Sequence, residues 1–314
     1  MDHSQNLDKF NLKQILMNDT QRKIIAVEGN FNGSQEPAVI VMEKYAFDEA
    51  FVLNICNVNT KLTKNIENDV YKSFSCVPPY NDKISSNKID IIYPATAKHI
   101  LKFTSQPIYL VQETEEIYQT ITLPHILENS FSLQWVYNCL EYKSEKESIK
   151  YDTASENAKD DENIGFLLLP DLKWSGKIDE LYLLAVVKKR NIKSLRDLTA
   201  NHLPLLKNIL NKGSAAIYKL FGIHLSQLRI FVHYQPSFYH FHVHFTYLMH
   251  SPPGINVEKA HLLTTIINNI EMQSNYYQKA SLSYVIKESD PLFSIFEEKD
   301  ILHKAKVFDE KKNV

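Results

Sequence analysis

Along residues 240–248, HFHVHFTYL, histidines alternate with apolar residues at every second position. That period belongs to a β-strand. His240, His242 and His244 therefore point to one side, and Phe241, Val243 and Phe245 to the other. The apolar side suits a core, and the histidine side is expected to line something polar. QLRIFVHY (227–234) reads as a second strand, joined to the first by the turn-like QPSFY (235–239). GFLLLP (165–170) and ELYLLAVVKK (180–189) are strand-like runs upstream. Thr199 is a candidate N-cap for a long helix, along which Leu203, Leu206, Leu210, Ile217 and Leu220 recur at helical spacing up to Gly222. A final helix is predicted from about Val257 to Gln273.

The first hundred residues carry short alternating runs, RKIIAVEG, PAVIVMEKYAF and KIDIIYPAT, broken by GNFNGSQEP and VPPYNDKISSN. They predict a small domain of β-hairpins. ATAKHILKFTSQ (95–106) reads as a short helix, QETEEIYQTITLP (112–124) as a polar connector, and the acidic KYDTASENAKDDENIG (150–165) as a solvated loop. The boundary falls near residues 104–116, dividing the chain into 1–106 and 107–314. Strands and helices without regular βαβ alternation predict an α+β fold with an antiparallel sheet and flanking helices.

At 314 residues and 44% hydrophobic content, the chain can fill a substantial core. Its formal charge of −2 offers no global field for nucleic acid or an anionic membrane, so a bound nucleotide should be small and held by a few local cations. No apolar run reaches the length of a transmembrane helix, and MDHSQNLDKFNLKQIL at the start is unlike a secretory signal. Cys56, Cys76 and Cys139 are odd in number and widely spaced, which suits free thiols in a reducing compartment. A cytosolic or nuclear soluble protein is expected.

Three readings of the histidine strand compete. It can be a structural strand with a histidine-rich face. It can be a metal site, but same-face residues lie about 6.7 Å apart and the outer pair about 13 Å, whereas zinc needs its ligand nitrogens at about 2.0–2.1 Å. Two of the three could share an ion, with no Cys, Asp or Glu pair nearby to complete the set, so no metal is expected. The third reading is nucleophilic catalysis: a neutral imidazole attacks phosphorus well and leaves well, while neighbours on the same face orient it and handle protons. His-x-His-x-His followed by two further residues is the histidine triad motif, and in the triad families the central histidine, here His242, is the nucleophile.

Surrounding segments narrow the resemblance. IIYPATAKHILKF, LQWVYN, LLLPDLKW, KSLRDLT, HYQPSFYHFHVHFTYL and VEKAHLL resemble, in that order, the scavenger mRNA decapping enzymes across about residues 65 to 290. The resemblance implies metal-independent hydrolysis of the 7-methylguanosine cap on short capped RNA fragments and on the cap dinucleotide, releasing 7-methyl-GMP through a nucleotidyl-histidine on His242. It implies no cofactor and no membrane. It also implies an N-terminal lid and dimerisation domain, a C-terminal histidine triad domain, and a homodimer with exchanged N-terminal segments.

If the two strands pair as a hairpin, His233 approaches His242, so His233 and His244 are the candidates to orient His242 and protonate the leaving phosphate, with His240 behind them. The resemblance implies the remaining roles. Trp135 stacks on the positively charged base and Glu145 reads its N–H edge; a desolvated cation–π contact is worth about 2 kcal/mol. Pro170 presents its carbonyl to the base. Asp171 and Lys173 match ligand contacts, and Ser237 and Lys259 reach phosphate oxygens. Asn68, Tyr71, His99 and Lys102 contribute from the N-terminal domain. One residue departs: Phe238 stands where the family usually has a tyrosine, which removes a phosphate hydrogen bond and lowers the expected turnover. Two alternatives remain open, a cap-binding regulatory paralogue with weak catalysis and a broader dinucleoside polyphosphate hydrolase.

Overall fold

The computed structural model describes residues 7–45, 47, 49–56, 59–77, 87–129, 133–155 and 162–304. Residues 78–86 of the predicted Pro- and Asn-rich break and residues 156–161 of the acidic stretch lie outside these. The chain divides into two compact units, Met1–Gln106 and Pro107–Val314.

In the first unit, β1 (Phe10–Asp19), β2 (Ile24–Phe31) and β3 (Pro37–Lys44) form an antiparallel meander. A helix, α1 (Glu49–Ile55), and a hairpin of β4 (Lys61–Asn68) and β5 (Tyr71–Val77) follow, before β6 (Asn87–Ile92) joins the free edge of β3. Alternation along β2 sends Ala26 to one face and Val27 to the other, and both are buried. Leu16, Ala26, Val39 and Ala95 pack under Ile100 and Phe103 of α2 (Ala97–Phe103), while Val27, Phe31, Ala38 and Ile40 fill the opposite face. Gly29 is required here, because a Cβ would lie 2.1 Å from the Asn11 carbonyl oxygen. The exposed face of β4 and β5 explains why periodicity did not reveal that hairpin.

The second unit is built on a six-stranded antiparallel sheet. Its strands are β8 (Tyr151–Asp152), β9 (Phe166–Pro170), β10 (Tyr182–Val187), β11 (Leu228–His233), β12 (His242–Tyr247) and β13 (Ala260–Leu262), in the order β13-β11-β12-β10-β9-β8. A separate ribbon pairs β7 (Ile108–Glu113) with β14 (Leu282–Lys287). One sheet face, including Leu168, Ala185, Ile230, Val243 and Phe245, shares the main core with Leu206, Ile217, Ile266 and Phe296 of the flanking helices. The other carries the histidines and is covered by a smaller cluster in which Val136 and Cys139 of a short helix (Gln134–Leu140) meet Leu167, Leu169, Tyr182, Leu184 and Val186. The histidine face therefore combines this apolar cluster with the buried imidazoles of His242 and His244.

Three predicted elements change. The predicted polar connector contains the end of β7 and a helical segment, 115–128, which we label α3; its Glu113 is fully buried. The helix Gln134–Leu140 follows as α4. The long helix forms over 203–221 (α5), but it is wound as a π-turn at Ile209–Gly213. Gly213 sits there because a Cβ would come 2.7 Å from the Phe245 ring, and Gly222 ends the helix at φ 73°. The last predicted helix starts later, at Leu263 (α6, Leu263–Met272), because Ala260–Leu262 pair with β11 through Val232 and His261. The edge of β11 thus claims residues that would otherwise extend the helix.

The start of the acidic stretch is also ordered: Tyr151 and Asp152 pair with β9, and Asp152 holds Lys188 at 2.9 Å. Among the described residues, no helix is long and apolar enough to cross a membrane, and no group of three or more His, Cys, Asp or Glu could hold a metal ion. Cys56, Cys76 and Cys139 are free thiols.

Candidate active site

The register sets Val186 opposite His242, and both Leu184 and Phe231 opposite His244. His242 donates its Nδ1–H to the main-chain carbonyl of His240 at 2.8 Å. A carbonyl only accepts, so this bond assigns the proton to Nδ1 and leaves the Nε2 lone pair free. His240 is itself pinned: its Nε2–H donates to the Val187 carbonyl at 2.7 Å, and its ring meets the edge of Tyr137 at 6.0 Å. His240 thus connects the entrance of β12 to the end of β10 and holds His242 through its backbone.

His244 shares a 3.1 Å hydrogen bond between Nδ1 and the Tyr182 hydroxyl, stacks on Phe231 with planes 10° apart, and keeps a buried Nε2 without a partner among the described residues. His233, from β11, donates Nε2–H to the Gly254 carbonyl at 2.9 Å. Extending the hairpin register would place His233 against His242, yet its ring contact, with centroids 4.1 Å apart, is with His244. The orienting bond on His242 comes from His240 and not from His233 or His244.

Burial penalises the imidazolium form throughout this cluster. It pulls His242 down to about 4. Burial, then the charge of Lys259, takes His233 down to about 3. Burial likewise lowers His240 and His244, the latter also through His242 and His233. Near neutral pH the four rings are uncharged.

Among the described residues, no carboxylate forms an ion pair with the two lysines beside them. Burial and the neighbouring Lys173 both lower the pKa of Lys259, and the charges of both lysines disfavour protonation of His233 and His244. Two cations gathered beside neutral bases suit a polyanion. Lys173 lies in the turn after Pro170, the last residue of β9, where Asp171 Oδ1 accepts the Lys173 backbone N–H at 2.8 Å. Ser237 is exposed in the turn before β12.

Trp135 opens α4, remains 45% exposed, and sets its ring edge-on to Phe238 at 4.9 Å. Phe238 in turn lies flat on His242. Glu145 is exposed with φ 54°, just before the turn Lys146–Ser148. Ring contacts therefore link Trp135, Phe238 and His242, and electrostatics link Lys173, Lys259, His233 and His244. Glu145, Pro170, Asp171 and Ser237 stand on the connecting turns and strand ends.

The remaining four candidates belong to the first unit and are placed within it alone. Asn68 and Tyr71 face each other across the β4–β5 turn, with Tyr71 78% exposed. His99 accepts the Thr96 backbone N–H at 3.1 Å as part of the capping box of α2, and Lys102 is exposed with its Nζ 5.3 Å from the Phe103 ring centroid.

Several residues that shape this cluster escaped the sequence reading. Tyr182 reads as a strand apolar position. Gly254 sits at φ 91°, and a Cβ there would lie 2.9 Å from His233 Nε2; the Pro-Pro pair before it was the available signal. Arg196, in KSLRDLT, is 2% exposed and pairs with Glu113 at 2.8 Å. It also donates to the carbonyls of Tyr277 and Ala280 at 2.9 and 2.6 Å. Glu113 accepts from the hydroxyls of Tyr234 and Thr122. Tyr234 immediately precedes the turn that enters the histidine strand, so this hub anchors one end of that turn.

Comparison with known proteins agrees with this geometry. Residues 5–106 match the family described as scavenger mRNA decapping enzyme (DcpS) N-terminal, and residues 134–260 match scavenger mRNA decapping enzyme C-term binding. The m7GpppX diphosphatase of Bos taurus is 41% identical over 92% of this chain and 85% of its own length. The m7GpppX diphosphatase of Homo sapiens is 39% identical over the same shares, and that of Ascaris suum 41% identical over 92% of this chain and 93% of its own. With both of its units matched and its histidine strand folded around a neutral, oriented His242, the chain belongs to the scavenger mRNA decapping enzyme family.

Proposed function

We propose that this chain is an m7GpppX diphosphatase that hydrolyses the 7-methylguanosine cap of short capped RNA fragments and of the cap dinucleotide, with His242 as the nucleophile. The observation that carries the assignment is the His242 Nδ1–H bond to the His240 carbonyl, which aims an unprotonated Nε2 away from the backbone. That nitrogen attacks the phosphate attached to 7-methylguanosine. The bond to the next phosphate breaks, and a diphosphate-ended fragment departs. Water then hydrolyses the nucleotidyl-histidine to 7-methyl-GMP.

Lys173, Lys259 and Ser237 bind the phosphate chain in this reading, and the free Nε2 of His244 is available to it. His233 packs its ring against His244. Trp135 stacks on the methylated base, Glu145 accepts from its N–H edge, and Pro170 and Asp171 complete that side. By family resemblance the first unit is a lid and dimerisation domain, with Asn68, Tyr71, His99 and Lys102 as its own candidate ligand contacts. A homodimer with exchanged N-terminal segments is supported by the exposed Leu62, Ile66 and Val70 of the β4–β5 hairpin, apolar side chains that a second copy would cover. The free thiols suit the cytoplasm or nucleus.

The test is turnover of a radiolabelled cap dinucleotide with 7-methyl-GDP and GDP as competitors. Inhibition by 7-methyl-GDP alone is expected. Equal inhibition by both would assign a broader dinucleoside polyphosphate hydrolase, and binding without turnover a regulatory cap binder. Sedimentation at micromolar concentration reads the dimer.

A further inference from the structure

Phe238 and His242 stack with ring centroids 4.0 Å apart and planes 12° from parallel. Phe238 is half-buried, held edge-on by Trp135 and packed into the apolar cluster that covers the histidine face. We propose that the face of Phe238 stabilises the positive charge that His242 acquires on nucleotidylation, which makes Phe238 a catalytic residue. This rests on the reading of His242 as nucleophile.

Electron counting locates the charge. His242 Nε2 gives its lone pair to phosphorus, and the departing oxygen leaves with the pair of the broken phosphorus–oxygen bond. Nδ1 keeps its proton, because that proton is committed to the His240 carbonyl at 2.8 Å. The ring has given up a lone pair and lost no proton, so it becomes an N-phosphoryl imidazolium. When water later cleaves the phosphorus–nitrogen bond, the pair returns and the ring is neutral again.

The surroundings oppose this cation. The same burial that lowers the His242 pKa to about 4 acts against any positive charge on the ring. Among the described residues, the one hydrogen bond to His242 is the carbonyl of His240, which acts in the ring plane. Above the plane lies the π-face of Phe238, whose quadrupole attracts a cation within about 6 Å of its centroid. The edge-on neighbour, His244 at 5.0 Å, is neutral. A ring without a hydroxyl suffices for this role, so Phe238 is a working residue in its own right.

The test replaces the Phe238 ring, in the full chain, with phenylalanines bearing one, two or three fluorines, which weaken the π-face at nearly constant volume. Single-turnover cleavage of the cap dinucleotide should slow stepwise, by about tenfold at the third fluorine, with 7-methyl-GDP affinity unchanged. Phe238→Tyr, which keeps the π-face and adds a hydroxyl, should turn over no more slowly than wild type, and Phe238→Leu, which keeps apolar bulk without a π-face, should fall about tenfold. A flat fluorine series would overturn the proposal and reduce Phe238 to packing. His242→Asn, assayed alongside, separates the two readings. If it is inert while the series is flat, only the role of Phe238 fails. If it turns over like wild type, the nucleophile assignment fails and takes the proposal with it.

Discussion

Arg196 and Glu113 meet at 2.8 Å with neither side chain exposed, although 83 positions separate them in the chain. Every part of the pair is hydrogen-bonded: Arg196 to two carbonyls from the segment after α6, and Glu113 to Tyr234 and Thr122. Arg196→Met should therefore leave a buried carboxylate uncompensated and cost about 3–5 kcal/mol. Urea unfolding of the full chain measures it, and the double change Arg196→Met with Glu113→Leu should recover part of the loss. A single substitution that unfolds like wild type would show the pair to be dispensable.

Trp135→Ala should weaken 7-methyl-GDP far more than GDP, because the cation–π attraction to the indole face exists only when the stacked ring is positively charged. The difference expected for a desolvated contact is about 2 kcal/mol, roughly 30-fold in Kd. Calorimetric titration with both ligands reads it directly, and equal losses would assign Trp135 to packing against Phe238.

Activity should persist in EDTA, since the cations placed beside the histidines are Lys173 and Lys259. Rates of cap-dinucleotide hydrolysis before and after dialysis against chelator measure this. Loss of activity restored by zinc or manganese would return the histidine strand to a metal site.

The buried histidines also make stability depend on pH. His242 and His233 have folded pKa values of about 4 and about 3, below the ordinary 6.5. Between those values and 6.5 the unfolded chain binds more protons than the folded one, so unfolding free energy falls as the medium is acidified. Each such histidine contributes a slope of about 1.4 kcal/mol per pH unit across its window. Urea midpoints should therefore drop from pH 7.5 to pH 5, and His233→Asn should show a shallower drop. A pH-independent midpoint over that range would mean that these rings are solvated.

Much of the architecture was legible from local pattern. Period-two alternation placed β11 and β12 and assigned the faces of His242 and His244, because side-chain direction in a strand depends only on the residues of that strand. Helical spacing and Gly222 likewise delimited α5. The motif singled out His242, and flanking segments pointed to the family. Local pattern failed where a distant partner decided the outcome. Residues 260–262 became a strand because β11 offered an open edge, and Glu113 entered the core because Arg196 was there to receive it. Which histidine holds His242, and through which atom, depended on the bend that turns the His240 carbonyl toward Nδ1. The depressed pKa values required the apolar cover over the histidine face, which β9, β10 and α4 build from residues far from the motif. The kinds of groups at this site follow from sequence, whereas their protonation and mutual orientation follow from packing, since desolvation and hydrogen-bond geometry exist only once the chain has closed around them.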